Sequence, residues 1–119
     1  KYVASTTLDH GGWEPTTVLS GDVVAQVAEL KRQPGRELQI HGSARLAASM
    51  LGAGLVDEVR LVVAPVVVGA GRRLFDPIDE PLGLRPTATT ITPAGLTVHT
   101  LTAGEPVAFG TYHPAAYAG

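Results

Sequence analysis

His41-Gly42-Ser43-Ala44, followed by Arg45, places small or absent side chains where a short apolar stretch gives way to a helix-like one. A junction of this kind lets a ligand approach the backbone and offers the unsatisfied N–H groups of a helix start to a phosphate. A simpler reading, in which Gly42 only makes the turn and Ser43 only caps the helix, is the commoner meaning of such a motif. Ser5, Thr6 and Thr7 set three hydroxyls at the end of another strand-like segment. In an α/β sheet the carboxyl ends of parallel strands face the ligand crevice, so these hydroxyls suit either a ribose phosphate or a solvated turn. Gly69-Ala70-Gly71-Arg72-Arg73 adds two guanidinium groups on a flexible segment, readable as a phosphate contact or as a solvated basic turn.

Other reactive residues lack a pattern. Asp57 and Glu58 are adjacent, and adjacency does not create opposed acid and base groups. His10, His41, His99 and His113 have no tight liganding spacing, so no metal site is expected. No Ser-His-acid arrangement stands out, and catalytic residues stay unassigned. With no cysteine, thiolate nucleophiles, disulfides and Cys-ligated metals are excluded.

The elements that must position these residues follow from patterning. Lys1–Thr7 is rich in β-branched and aromatic residues and predicts a strand, and residues 8–20 hold turn formers that predict mostly loop. Ser20 and Asp22 offer caps to a helix over 23–33, whose Val23, Val24, Val27 and Leu30 recur at helical spacing before Pro34-Gly35. Glu37–His41 predicts a short strand, and Ala44–Gly54 a second helix with Leu46, Met50 and Leu51 on one side. Val59–Val68 lacks clean alternation, the pattern of a central strand covered on both faces, with a bulge or bend at Pro65. In the polar segment from Arg72 to Gly83, Leu74 and Phe75 are expected to pack inward. Thr87–Thr92 and Leu96–Leu101 alternate around Pro93-Ala94-Gly95 and predict a hairpin, with Val107–Tyr112 as a further antiparallel strand. The order predicts an α/β fold with a mixed sheet, parallel strands first and an antiparallel hairpin at the end, flanked by helices.

Composition agrees with one folded domain over residues 1–119: 45% of the 119 residues are hydrophobic and 17% charged. Nine Lys and Arg against eleven Asp and Glu leave a net charge of −2 with no long basic tract, so neither a nucleic-acid nor a membrane partner is expected. The longest apolar run, residues 61–71, contains Pro65 and is too short to span a bilayer. A soluble, cytoplasmic protein is the expectation. Opening at Lys1 directly into an apolar strand-like segment predicts that the chain is the back part of a longer one.

Several stretches together resemble the C-terminal reductase domain of bacterial riboflavin biosynthesis proteins, within the dihydrofolate-reductase-like family. They are KYVASTTL at 1–8, GDVVAQVAELKRQPG at 21–35, LQIHGSARLAASMLGAGLVDEVRL at 38–61, APVVVGAGRRLF at 64–75 and AFGTYHP at 108–114. The succession HGSARL, GLVDEVRL, PVVVGAGRRLF is specific, whereas any one piece is weak. The resemblance implies a cofactor, NADPH, bound at strand ends. Ser5 and Thr6, with Thr7, would meet the adenosine phosphate region, and Gly42 and Ser43, with Ala44 and Arg45, would hold the pyrophosphate. Leu55 and Val56 would anchor the turn into the following strand, with Asp57 and Glu58 orienting it.

Members of that family usually begin with a strand, a Ser-Leu-Asp-Gly-like segment, a helix and another strand, and none of this precedes Lys1 here. The expected fold is therefore incomplete at its N-terminus, with the first strand short of a neighbour. Unpaired backbone and uncovered apolar faces then call for a homo-oligomer or a complementing N-terminal fragment. The expected activity is hydride transfer from NADPH to a small heterocyclic or pyrimidine-ribityl-type substrate, absent from the isolated fragment because half a pocket cannot hold the reactants in contact. The alternative is a non-catalytic nucleotide-binding or assembly module of the same fold. A hydrolase using a hydroxyl nucleophile lacks a localised base.

Overall fold

A computed structural model describes residues 1–105 and Val107. Seven elements follow one another: β1 (Tyr2–Ala4), β2 (Thr17–Leu19), α1 (Val23–Arg32), α2 (Ala44–Gly52), β3 (Glu58–Val63), β4 (Gly83–Ile91) and β5 (Thr97–Glu105). β1 and β2 pair in parallel, Tyr2 against Thr17 and Ala4 against Leu19. The other three strands form an antiparallel sheet in the order β3-β5-β4. The fold is thus mixed α/β with parallel pairing first and an antiparallel hairpin last, as expected, but its pairing is divided between two sheets.

That division has a local cause. Residues 37–41, expected to form a strand, have no strand geometry and are exposed. Among the described residues no strand lies beside them to complete a ladder, and alternation alone does not hold an extended segment in place. β2 is the converse case: it falls in the stretch expected to be loop, and its parallel pairing with β1 organises three residues that propensity leaves undecided.

The apolar run at 59–68 is also not a central strand. β3 ends at Val63, two residues before Pro65, and lies at the edge of its sheet while β5 holds the centre. On β3, Val59 and Leu61 are half-buried whereas Glu58, Arg60 and Val62 are exposed, so only one face is covered. Beyond it Val66, Val67 and Val68 are exposed, Val67 almost completely at 95%. Leu74, expected inside, is exposed, and Phe75 is 40% exposed along the wall of a cavity. The hairpin forms around Thr92–Leu96, where Gly95 takes φ +83° and donates to the Thr92 carbonyl at 2.8 Å. Pro86 sits on the outer strand β4 beside a register irregularity, the position a proline tolerates in a sheet. The strand expected at 107–112, and His113, lie outside the described residues.

The two helices are secured differently. In α1 the Asp22 carboxylate accepts from the Ala25 N–H at 3.0 Å, and no residue is fully buried. Its last turn is tied down by Lys31 Nζ, which donates to the Leu55 carbonyl and to Asp57 Oδ2, both at 2.7 Å. α2 instead contributes Ala48, Met50 and Leu51 to the buried set, completed by Leu19 and Leu101 among the described residues. It stops where Gly54, at φ +67°, lets the Leu55 N–H return to the Met50 carbonyl at 2.9 Å.

Candidate anion-binding cleft

The start of α2 departs from ordinary capping. Gly42 has φ +65°, and Ser43 follows with φ 50° and ψ 59°, a left-handed conformation that costs a non-glycine residue about 1 kcal/mol. The Ser43 carbonyl accepts the first helical bond from the Ala47 N–H at 2.9 Å, but its hydroxyl makes no capping bond. The reading in which Ser43 serves as a side-chain cap is therefore not the observed one. Both Ser43 and Arg45 are exposed, and Ala44 is half-buried.

A cleft of about 790 Å³ opens here, lined by Ser43 to Leu46 from the helix start and by Arg72, Arg73 and Asp76 from a distant segment. Two motifs distant in the chain, HGSAR at 41–45 and GAGRR at 69–73, thus share one wall system. Several cations elsewhere on the molecule are committed, Arg36 excepted. Lys31 pairs with Asp57, Arg32 with Glu29 and Arg60 with Glu58, while Lys1 lies 3.8 Å over the Trp13 ring. Among the described residues Arg45, Arg72 and Arg73 join no ion pair. Three uncommitted guanidiniums around one concavity suit an oxyanion, because each can present parallel N–H donors to it.

The first strand end behaves otherwise. Ser5 Oγ accepts from the N–H groups of Thr7 at 3.2 Å and Leu8 at 3.1 Å, and its own N–H donates to the Leu19 carbonyl at 3.0 Å. Ser5 thereby shapes the turn leaving β1, with Thr6 and Thr7 exposed on it. None of the three lines the cleft, so the two groups of candidate residues are not brought into one cavity. Asp57 ties the approach to β3 to α1 through its ion pair with Lys31, and its carbonyl accepts from the Ala103 N–H at 3.0 Å, whereas Glu58 pairs with Arg60 within β3 itself. His41 Nε2 meets Gln39 Oε1 and His99 Nδ1 meets Thr89 Oγ1, each at 3.1 Å. Sequence reasoning missed the participation of Asp76, and no sequence signal joins it to Arg45.

Residues 2–98 match the family model of the RibD C-terminal domain. The chain belongs to this family. Two curated Bacillus subtilis (strain 168) proteins are similar to it: the uncharacterized protein YyaP, 33% identical over 85 residues, and the uncharacterized protein YwjB, 31% identical over 84. Each match takes in 71% of this chain, but only 45% of YyaP and 48% of YwjB, so the chain spans about half the length of these relatives. A solved structure of a putative riboflavin biosynthesis protein from Shewanella sp. PV-4 superposes with a TM-score of 0.76 at 24% identity, covering 87% of this chain and 60% of that one. The RibD-type fold is common to both, and the dihydrofolate-reductase-like architecture follows from the family. No helix of the described residues is long and apolar enough to cross a membrane.

Proposed function

We propose that this chain is the cofactor-binding part of an NADPH-dependent reductase of riboflavin-biosynthesis type. The observation that supports this most is the cleft at the start of α2, where a RibD C-terminal family member gathers Arg45, Arg72 and Arg73 without carboxylate partners. The donor set fits a phosphorylated dinucleotide: Gly42, Ser43 and Ala44 leave the backbone open to a diphosphate, and Arg45 adds positive charge beside it. In this reading Ser5, Thr6 and Thr7 contact the adenosine end. NADPH would supply the hydride, accepted by a small heterocyclic or pyrimidine-ribityl-type substrate. The chain's residues bind and orient, and none of them is assigned a proton-transfer role.

A second reading, a nucleotide-binding assembly module without catalysis, is favoured by the exposed Val62, Val63, Val66, Val67 and Val68. The same surface suits a complementing N-terminal fragment or a second copy, which the reductase reading also requires for activity. Titration of the full-length polypeptide with NADPH and NADH, followed by nicotinamide fluorescence, tests both. Preference for NADPH that falls about tenfold in Arg45→Ala supports cofactor binding. Equal, weak binding of both dinucleotides would refute it. NADPH binding without any hydride transfer to carbonyl or imine acceptors would select the module.

A further inference from the structure

A second cavity adjoins the arginine cleft. It measures about 180 Å³ and is lined by Ala48, Leu51, Phe75, Ile78, Leu82 and Leu84, all carbon-bearing side chains with no polar head group. Asp76 lines this cavity and the arginine cleft alike, so the two spaces meet at one residue. In size it compares with a Leu/Ile/Phe-lined cavity of about 150 Å³ that accepts benzene in another protein. One six-membered ring therefore matches it, and a ring rich in hydrogen-bonding groups does not, because Asp76 alone offers a polar partner. On the other side of Asp76, Arg72 and Arg73 stand with Arg45 as uncommitted cations, and the three outweigh the carboxylate by two charges. That excess matches a phosphate monoester near neutral pH.

We propose that the two cavities form one composite site for an arylmethyl phosphate, its apolar ring seated among Leu51, Phe75 and Leu82 and its phosphate held by Arg72 and Arg73. The site rests on the segment 72–84 and on the inner side of α2, and it draws on the same cleft and arginines as the dinucleotide reading, so the two ligands would compete there. It calls for a ligand different from a polar pyrimidine: the ring fills carbon-lined space, and the link to the phosphate is short enough to pass Asp76.

Calorimetric titration of the full-length polypeptide with benzyl phosphate tests this, alongside inorganic phosphate, benzyl alcohol and uridine monophosphate. Benzyl phosphate is expected to bind at least about tenfold more tightly than inorganic phosphate or benzyl alcohol, the worth of burying one phenyl ring or of pairing one dianion. The double substitution Arg72→Ala, Arg73→Ala lies on exposed residues and leaves the core intact, and it should remove the advantage of benzyl phosphate over benzyl alcohol. Leu82→Trp, which fills the apolar cavity, should remove its advantage over inorganic phosphate, with circular dichroism confirming the fold. Equal binding of benzyl phosphate and inorganic phosphate, tighter binding of uridine monophosphate, or no binding of benzyl phosphate would each overturn the proposal. NADPH titrated separately keeps the two readings apart, since either ligand can fail without the other.

Discussion

α1 and α2 are of similar length, ten residues against nine, yet they are held in opposite ways. α1 buries nothing completely and is secured at its ends, by the Asp22 cap and by the Lys31 contacts to Leu55 and Asp57. α2 is secured through its middle by Ala48, Met50 and Leu51, while its first turn carries no side-chain cap. A helix fixed by its buried face can leave its N-terminus unsatisfied by the protein. A helix lacking that face cannot. The place where ligand chemistry is available is thus decided by where packing makes capping dispensable.

The largest expected effect tests the buried anchor. Met50, only 1% exposed, should cost about 3 kcal/mol of stability on replacement by alanine, through lost burial and the cavity left behind. Chemical denaturation of the full-length polypeptide measures this, and a loss no greater than that of a cap substitution would end the contrast between the helices. Next comes Asp22→Ala, expected to destabilise by about 1 kcal/mol because the Ala25 N–H loses its partner. An unchanged denaturation midpoint would show that α1 does not depend on its cap. The smallest effect has the opposite sign. Ser43→Gly should raise stability by up to about 1 kcal/mol, since glycine adopts the left-handed conformation freely and no capping bond is lost. Destabilisation there would mean that the Ser43 hydroxyl holds the helix after all.

Much of this arrangement is legible in the residues themselves. Asp22 before a run with Val23, Val27 and Leu30 at helical spacing marks α1, and Gly54 marks the end of α2, because local chemistry decides both. The turn around Pro93-Ala94-Gly95 likewise announces the hairpin. Strand pairing is less legible, since a strand exists only beside another strand. Thr17–Leu19 gains a partner in β1 and becomes β2, whereas Glu37–His41 gains none among the described residues and remains irregular. The dense valines from Val62 to Val68 look like a covered centre and instead lie at and beyond an edge, because burial depends on neighbours the run does not encode. At the cleft, Gly42 to Arg45 is visible as a local motif. Its meeting with Arg72, Arg73 and Asp76 is a product of the fold, and adjacency in space between distant segments leaves no periodic trace.

The two outer strands of the three-stranded sheet are unequal, and this limits how the sheet can grow. β4 carries Pro86, which has no N–H to donate, together with a register irregularity at Thr87. β3 has no proline within Glu58–Val63 and displays regular pairing along its inner side. A strand added from outside would therefore join β3 more readily than β4. Among the described strands, two such sheets meeting β3 to β3 would leave their interrupted edges outermost, an arrangement that would favour closure at a pair over extension into a fibre.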